Sequence, residues 1–172
     1  QKFDGSFYGV AIGRDVIIVP ENGNTIHFIN QTTGEKFGRS NIYQGSSLFA
    51  PVIDSNANIY ISSEYQFASS DYKLVIIPYS IWENGGNPTV ISLGKSQPVS
   101  SPVIVSENTA VVSCDDSLKI IDLDNKQVMS SIPGKNNGIR PVIGPGNMIY
   151  AVLDDNIVEI TPAGNQIWKT KI

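Results

Sequence analysis

The sequence predicts an all-β fold, a β-propeller built of four-stranded antiparallel blades with four blades present. Three observations lead there. A gapless internal repeat relates the stretch that starts at Ser101 to the stretch that starts at Arg140, an offset of 39 residues. Each copy is a series of short, β-branched apolar runs separated by polar turns, and no useful window shows the helical period. Four short antiparallel strands in roughly 40 residues is the grammar of a propeller blade.

The first blade is expected over approximately 7–39, with strands opening at 9–12 and 15–19 and an alternating run at 25–29. In that run Ile26 and Phe28 share one face and His27 takes the other, a solvent-facing or inter-blade position. The second blade, approximately 48–95, opens on Pro51, 42 residues after Gly9, and carries two extra stretches at 64–72 and 80–88. The third, approximately 100–132, starts 51 residues after the second. It runs through 103–105, a polar turn, 109–112, a turn with Asp115 and Asp116, then 118–123, and a weaker strand ending near Met129. Pro102 is tolerated at its start because a missing N–H costs nothing at a strand beginning. The fourth, approximately 139–171, repeats this with Pro141, Asn147, Asp154 and Asp155, Ile157 and Trp168 in the matching places. Runs flanked by two other blades should be apolar on both faces, and the outermost strand most polar, as at Lys126, Gln127, Asn165 and Gln166. A whole number of blades leaves two closures, a compact four-blade ring or half of an eight-bladed propeller. The opening Gln1, where a Met would start a reading frame, reads as a piece of something longer.

Composition narrows the function. The 172 residues are 41% hydrophobic, enough to bury a core, but only 16% charged, against roughly 25% in an average soluble domain. Twelve Lys and Arg face 16 Asp and Glu for a net charge of -4, so no basic field collects phosphates and nucleic acid is not an expected partner. The longest apolar runs, 16–20 and 74–78, fall far short of the ~20 residues that span a bilayer, so no membrane insertion is expected. One cysteine, Cys114, excludes an internal disulfide and reads as a small hydrophobe at a strand end. Turns rich in Ser, Asn and Thr with few lysines point to an extracytoplasmic or secreted setting.

The segment Ala163-Gly164-Asn165-Gln166-Ile167-Trp168-Lys169, after the turn at Thr161 and Pro162, resembles the repeat of the pyrroloquinoline-quinone-like propeller superfamily. There a Gly-x-x-x-Trp-type fourth strand docks its Trp between adjacent blades. The Ser-Pro-Val-Ile first strand, the Asp-containing turn and the Leu-x-x-Ile-Asp stretch are similar too. Only the fourth copy has both Gly164 and Trp168; the first offers Gly34 to Phe37 and the third ends in Met129. The quinoprotein enzymes of that superfamily need a cofactor pocket, a calcium held by oxygens, an Asp base and in many a pair of vicinal cysteines. One cysteine cannot form that pair, so the resemblance implies a non-enzymatic member with no cofactor.

No catalytic, cofactor-binding or metal constellation stands out. Asp115 with Asp116 and Asp154 with Asp155 are the most site-like feature, yet Asp-Asp-Ser and Asp-Asp-Asn are what a tight hairpin wants. The glycines at 85–86 form a long turn, since no helix follows to bind an anion. Trp82 is expected to anchor its own loop. The irregular second blade is where function is expected: Tyr65, Phe67 and Tyr72 in its first insertion, with Tyr43 and Arg140 on the same side, form a candidate partner-binding surface. The expected function is a non-catalytic scaffold for protein or ligand binding within a larger extracytoplasmic protein, its partners a protein or other blades of the same polypeptide. The alternative is a quinone- or metal-dependent enzyme or sensor whose remaining blades complete a central pocket.

Overall fold

A computed structural model of the chain describes residues 9–21, 25–41, 45–47, 49–65, 71–82 and 86–172, of which 39–41, 45–47, 64 and 65 are described by their backbone. Four antiparallel meanders follow one another along the chain. In blade 1, β1 (Ala11–Gly13), β2 (Val16–Glu21), β3 (Thr25–Asn30) and β4 (Lys36–Asn41) pair in chain order. Blade 3 has β10 (Val103–Ser106), β11 (Thr109–Ser113), β12 (Ser117–Asp122) and β13 (Gln127–Pro133), and blade 4 has β14 (Val142–Ile143), β15 (Ile149–Leu153), β16 (Asn156–Ile160) and β17 (Gln166–Lys171).

Blade 2 departs from the expected four strands. Its first strand is split into β5 (Gly45–Ser47) and β6 (Val52–Ile53), which pair with opposite ends of the long β7 (Ile59–Tyr65), followed by β8 (Tyr72–Ile77) and β9 (Thr89–Gly94). A 3₁₀ turn, Tyr79–Ile81, follows β8. β5 begins ahead of residue 48, where the sequence placed the start of this blade. A Gly-Ser-Ser segment has little strand propensity of its own, and it is extended here because the edge of β7 offers it a ladder.

The apolar alternation of each sheet explains the stacking. In β11 all five residues are buried, with Ala110 and Val112 facing blade 2 and Val111 facing blade 4. Three such interfaces form. Ile18, Ile26 and Phe28 of blade 1 meet Ile59, Ile61, Val75 and Ile77 of blade 2. Leu74 and Ile91 of blade 2 meet Ala110, Val112 and Ile121 of blade 3. Val111, Leu118 and Ile120 of blade 3 meet Ile149, Ala151, Val158 and Ile160 of blade 4. Each fully buried aliphatic side chain contributes about 1.5–3 kcal/mol. Among the described residues no fourth core joins blade 4 to blade 1. The third and fourth strands of every blade carry a register shift, near the end of the third strand in blades 1, 3 and 4, between Phe28 and Ile29, Ile120 and Ile121, and Glu159 and Ile160, but at its start in blade 2, between Tyr72 and Lys73. A bulge repeated four times increases the local twist that splays one blade from the next.

The turn before β17 shows why Gly164 stands in the repeat. Its φ is +91°, and a Cβ there would lie 2.5 Å from Ser130 Cβ on the outer strand of blade 3. Gly34 occupies the corresponding turn of blade 1 with φ +69°, but nothing lies within 4 Å of its missing Cβ. Gly164→Ala should therefore destabilise by about 1–3 kcal/mol more than Gly34→Ala in urea titration. Replacing Ser130 by Gly in the Gly164→Ala background should recover the part that comes from the close approach.

Candidate functional site

The Asp pairs turn out to join blades. Asp154 and Asp155 both take positive φ, +51° and +57°, as a two-residue hairpin demands. The Asp154 N–H donates to Lys135 O at 3.0 Å, and the Lys135 N–H donates back to Asp154 Oδ1 at 2.8 Å. Asp115 makes the same exchange with the segment entering blade 3: its N–H donates to Gln97 O at 2.8 Å, and the Gln97 N–H donates to Asp115 Oδ1 at 3.0 Å. Asp116 accepts the Ser117 hydroxyl at 2.7 Å and the Ser96 hydroxyl at 3.1 Å. Pro98 pairs with Cys114 beside this clamp, and 51 positions earlier Ser47 pairs with Ser63, so β5 is the longer version of the same contact. The Asp115, Asp116 and Asp154 carboxylates are spent on N–H and O–H donors of the connections and on the Ser117 hydroxyl. Among the described residues no three His, Cys, Asp or Glu side chains converge on a cation site. Cys114 is fully buried and burial pushes its thiol up to about 12, so it is a packing group, not a nucleophile. The described residues thus do not fit the calcium, quinone and vicinal thiols of the quinoprotein enzymes.

His27 is buried on the face of blade 1 that points away from blade 2, with Nε2 2.7 Å from Glu21 Oε2. Trp82 does more than anchor its own loop: its ring stacks on Phe28 of blade 1 at 5.2 Å and 14°, sealing the core between blades 1 and 2.

The five candidate partner-binding residues have separate surroundings. Tyr43 and Phe67 lie outside the described residues, and Tyr65 is described by its backbone as the last residue of β7. Tyr72 is the first residue of β8, half-buried against the core between blades 2 and 3. Beside it Asp71 accepts from Lys73 Nζ at 2.7 Å and from the Ser92 hydroxyl at 2.6 Å, fastening the base of the hairpin to β9. Arg140 is exposed at the entry to blade 4, where Nη2 donates to Pro102 O at 3.3 Å.

Arg140 lines a groove of about 300 Å³ with Ile139, Val142, Tyr150, Val152 and Ile157. This is the outward face of blade 4, and the 39-residue repeat says what it is. Tyr150, Ile157 and Glu159 stand where blade 3 has Val111, Leu118 and Ile120, all completely buried by blade 4. In blade 4 that face is open: Val142 is 62% exposed and Ile157 37%. The Tyr150 hydroxyl donates to Glu159 Oε1 at 2.7 Å, and the Trp168 ring lies 6.2 Å from that of Tyr150. Trp168 is therefore against its own blade and 41% exposed, not wedged between blades as the resemblance implies. The Tyr150–Glu159 pair is not singled out by sequence motifs, although the two polar residues at Val111 and Ile120 positions are visible once the repeat is aligned.

Four-stranded meanders packed face to face, with blades 2, 3 and 4 each clasping the segment that enters it, define a β-propeller segment. No family model matches the sequence, and no curated protein is significantly similar to it. Among solved structures it resembles BamB from Moraxella catarrhalis, with a TM-score of 0.67 at 13% identity. The match covers 99% of this chain and 50% of BamB, so the chain spans half the length of the protein it matches. BamB is a PQQ-like propeller, and the likeness is one of fold.

Two outcomes follow from these contacts. Leu118→Ala should cost about 2–5 kcal/mol, whereas Ile157→Ala at the matching uncovered position should cost about 1 kcal/mol or less, compared by urea denaturation. The Ser117 hydrogen bond outweighs the opposing effect of burial, and Ser96 adds to it, so the Asp116 carboxyl sits below its ordinary range. A folded-state value below the unfolded one gives stability that is whole above about pH 4 and is lost as pH falls through the folded value. Asp116→Asn should flatten the stability profile in that acid window.

Proposed function

We propose that this chain is a non-catalytic β-propeller segment, a binding scaffold within a larger extracytoplasmic protein, whose end faces are covered by further blades of the same grammar. The observation that carries the reading is the outward face of blade 4, built on the plan of the covered face of blade 3 yet open. A neighbour of similar fold twice as long as the match supports it. The polar pair there shapes the neighbour: once covered, Glu159 needs a donor for the oxygen that Tyr150 does not reach, since a buried unpaired carboxylate is costly. The partner-binding surface is the long β7–β8 hairpin, with Tyr65, Phe67 and Tyr72, together with Tyr43 and Arg140. The concentration of aromatic residues in the insertion of an otherwise regular repeat supports that assignment. Turns rich in Ser, Thr and Asn support the extracytoplasmic setting.

Two copies of the chain joined in tandem should melt at a higher temperature than one, with the gain removed by Ile157→Lys at the joint. No gain would overturn the blade-on-blade reading. Calcium or pyrroloquinoline quinone should leave the melting temperature of the chain unchanged; a rise would support the enzyme or sensor alternative.

A further inference from the structure

We propose that the cleft between blade 1 and the Tyr79–Ile81 turn of blade 2 is a carbohydrate-binding site that takes one or two sugar rings. The cleft has a volume of about 310 Å³ and lies at the end of the blade 1 hairpins, away from the groove on blade 4. Its walls come from three places that the fold brings together. The two-residue β1–β2 turn supplies Arg14 and Asp15, both with positive φ. The end of β3 and the start of β4 supply Asn30 and Phe37, and the segment that follows β8 in blade 2 supplies Tyr79 and Trp82.

The aromatic part is a continuous series. Phe37 lies 6.2 Å from Phe28, Phe28 stacks on Trp82 at 5.2 Å, and Tyr79 meets Trp82 edge-on at 5.0 Å. The two inner rings are buried in the core, and the two outer ones, Phe37 and Tyr79, are 48% and 45% exposed at the cleft. Two ring surfaces are thus held rigidly at the surface by packing behind them.

The polar part is unspent. The Arg14 guanidinium sits 4.9 Å above the Tyr79 ring, and no carboxylate among the described residues pairs with it. No donor among the described residues reaches the Asp15 carboxylate. Asn30 uses Oδ1 to accept the Thr32 and Thr33 N–H groups, both at 2.9 Å, which fixes its amide and leaves the Nδ2 hydrogens available. The Trp82 indole N–H, on a side chain only 4% exposed, has no acceptor among the described residues.

Charge and hydrogen-bonding capacity select the ligand class. Asp15 disfavours an anion and Arg14 disfavours a cation, while a purely apolar ligand would leave the donors of Arg14 and Asn30 unsatisfied. A neutral polyhydroxylated ring answers every group. Its hydroxyls donate to Asp15 and accept from Arg14 and Asn30, and its C–H face lies on Phe37 or Tyr79. The volume stands at the small end of ligand sites, about 300–1,000 Å³.

The test uses the whole chain with Trp168→Phe, so that Trp82 is the one remaining tryptophan. Methyl glycosides of glucose, galactose, mannose and N-acetylglucosamine, with cellobiose and chitobiose, are titrated while Trp82 fluorescence and saturation-transfer NMR are followed. At least one should bind with a dissociation constant of about 0.1–10 mM, the range of small, exposed sites. Asp15→Asn, which keeps a residue tolerant of positive φ, and Phe37→Ala should each weaken that binding at least tenfold at unchanged melting temperature. Ile157→Lys, on the far blade, should leave it unchanged. Absence of binding by all six sugars, binding that survives Asp15→Asn and Phe37→Ala, or tighter binding of benzoate than of any sugar would each overturn the proposal.

Discussion

The inner sheets of this protein are apolar on both faces, and that single constraint organises the rest. A meander such as β10–β13 has Val111, Leu118 and Ile120 on one side and Ala110, Val112 and Ile121 on the other, so it cannot be stable with either side in water. The only arrangement that satisfies all such sheets is face-to-face stacking, in which stability belongs to the interfaces and is shared between neighbours. Among the described residues there are therefore three interfaces of nearly equal construction rather than one centre. Its two ends are where the constraint is left open, with Val10 and Ile12 at 55% and 59% exposed on one side and Val142 on the other.

Within that frame, departures from the repeat have distinct jobs. The second blade's insertion after β8 reaches back across an interface, and Trp82 seals a core that the strand residues of blade 1 leave incomplete. The same excursion places Tyr79 beside the tip of the first hairpin and opens a cleft that regular blades would lack. At the other end, Tyr150 and Glu159 put a satisfied hydrogen bond where an inner blade has two aliphatic side chains. That exchange lowers the apolar area the open face presents.

Blades 3 and 4 are legible in the sequence because their turns are short, so the period of 39 survives and the strand alternation can be checked twice. The Asp pairs are legible as turn residues from their own chemistry, but their partners lie 18 and 19 positions away and follow only from how the connections pass the hairpins. β5 is hidden because its strand state is imposed by β7 rather than by its own residues. Tyr72 reads as loop from the polar run before it, yet it belongs to β8, where the core between blades 2 and 3 gives its ring a surface to cover. Trp168 matches a motif whose docking role needs a blade on its outward side, and the motif alone does not say whether one is there.

Because Asp115 and Asp154 hold the segments that enter their blades, the covalent unit and the mechanical unit of this protein are offset. Gln97 follows β9 in the chain but is fastened to blade 3, and Lys135 follows β13 but is fastened to blade 4. A break in the backbone at either place would open a joint between blades, whereas a break in the turn from Thr161 to Asn165 interrupts only contacts local to one hairpin and the approach to Ser130. The turn before the outermost strand is thus the place where new termini, swapped blades or inserted domains should cost least. The natural module for recombination therefore begins with a fourth strand and ends with a third, one strand out of phase with the repeat as it is written in the sequence.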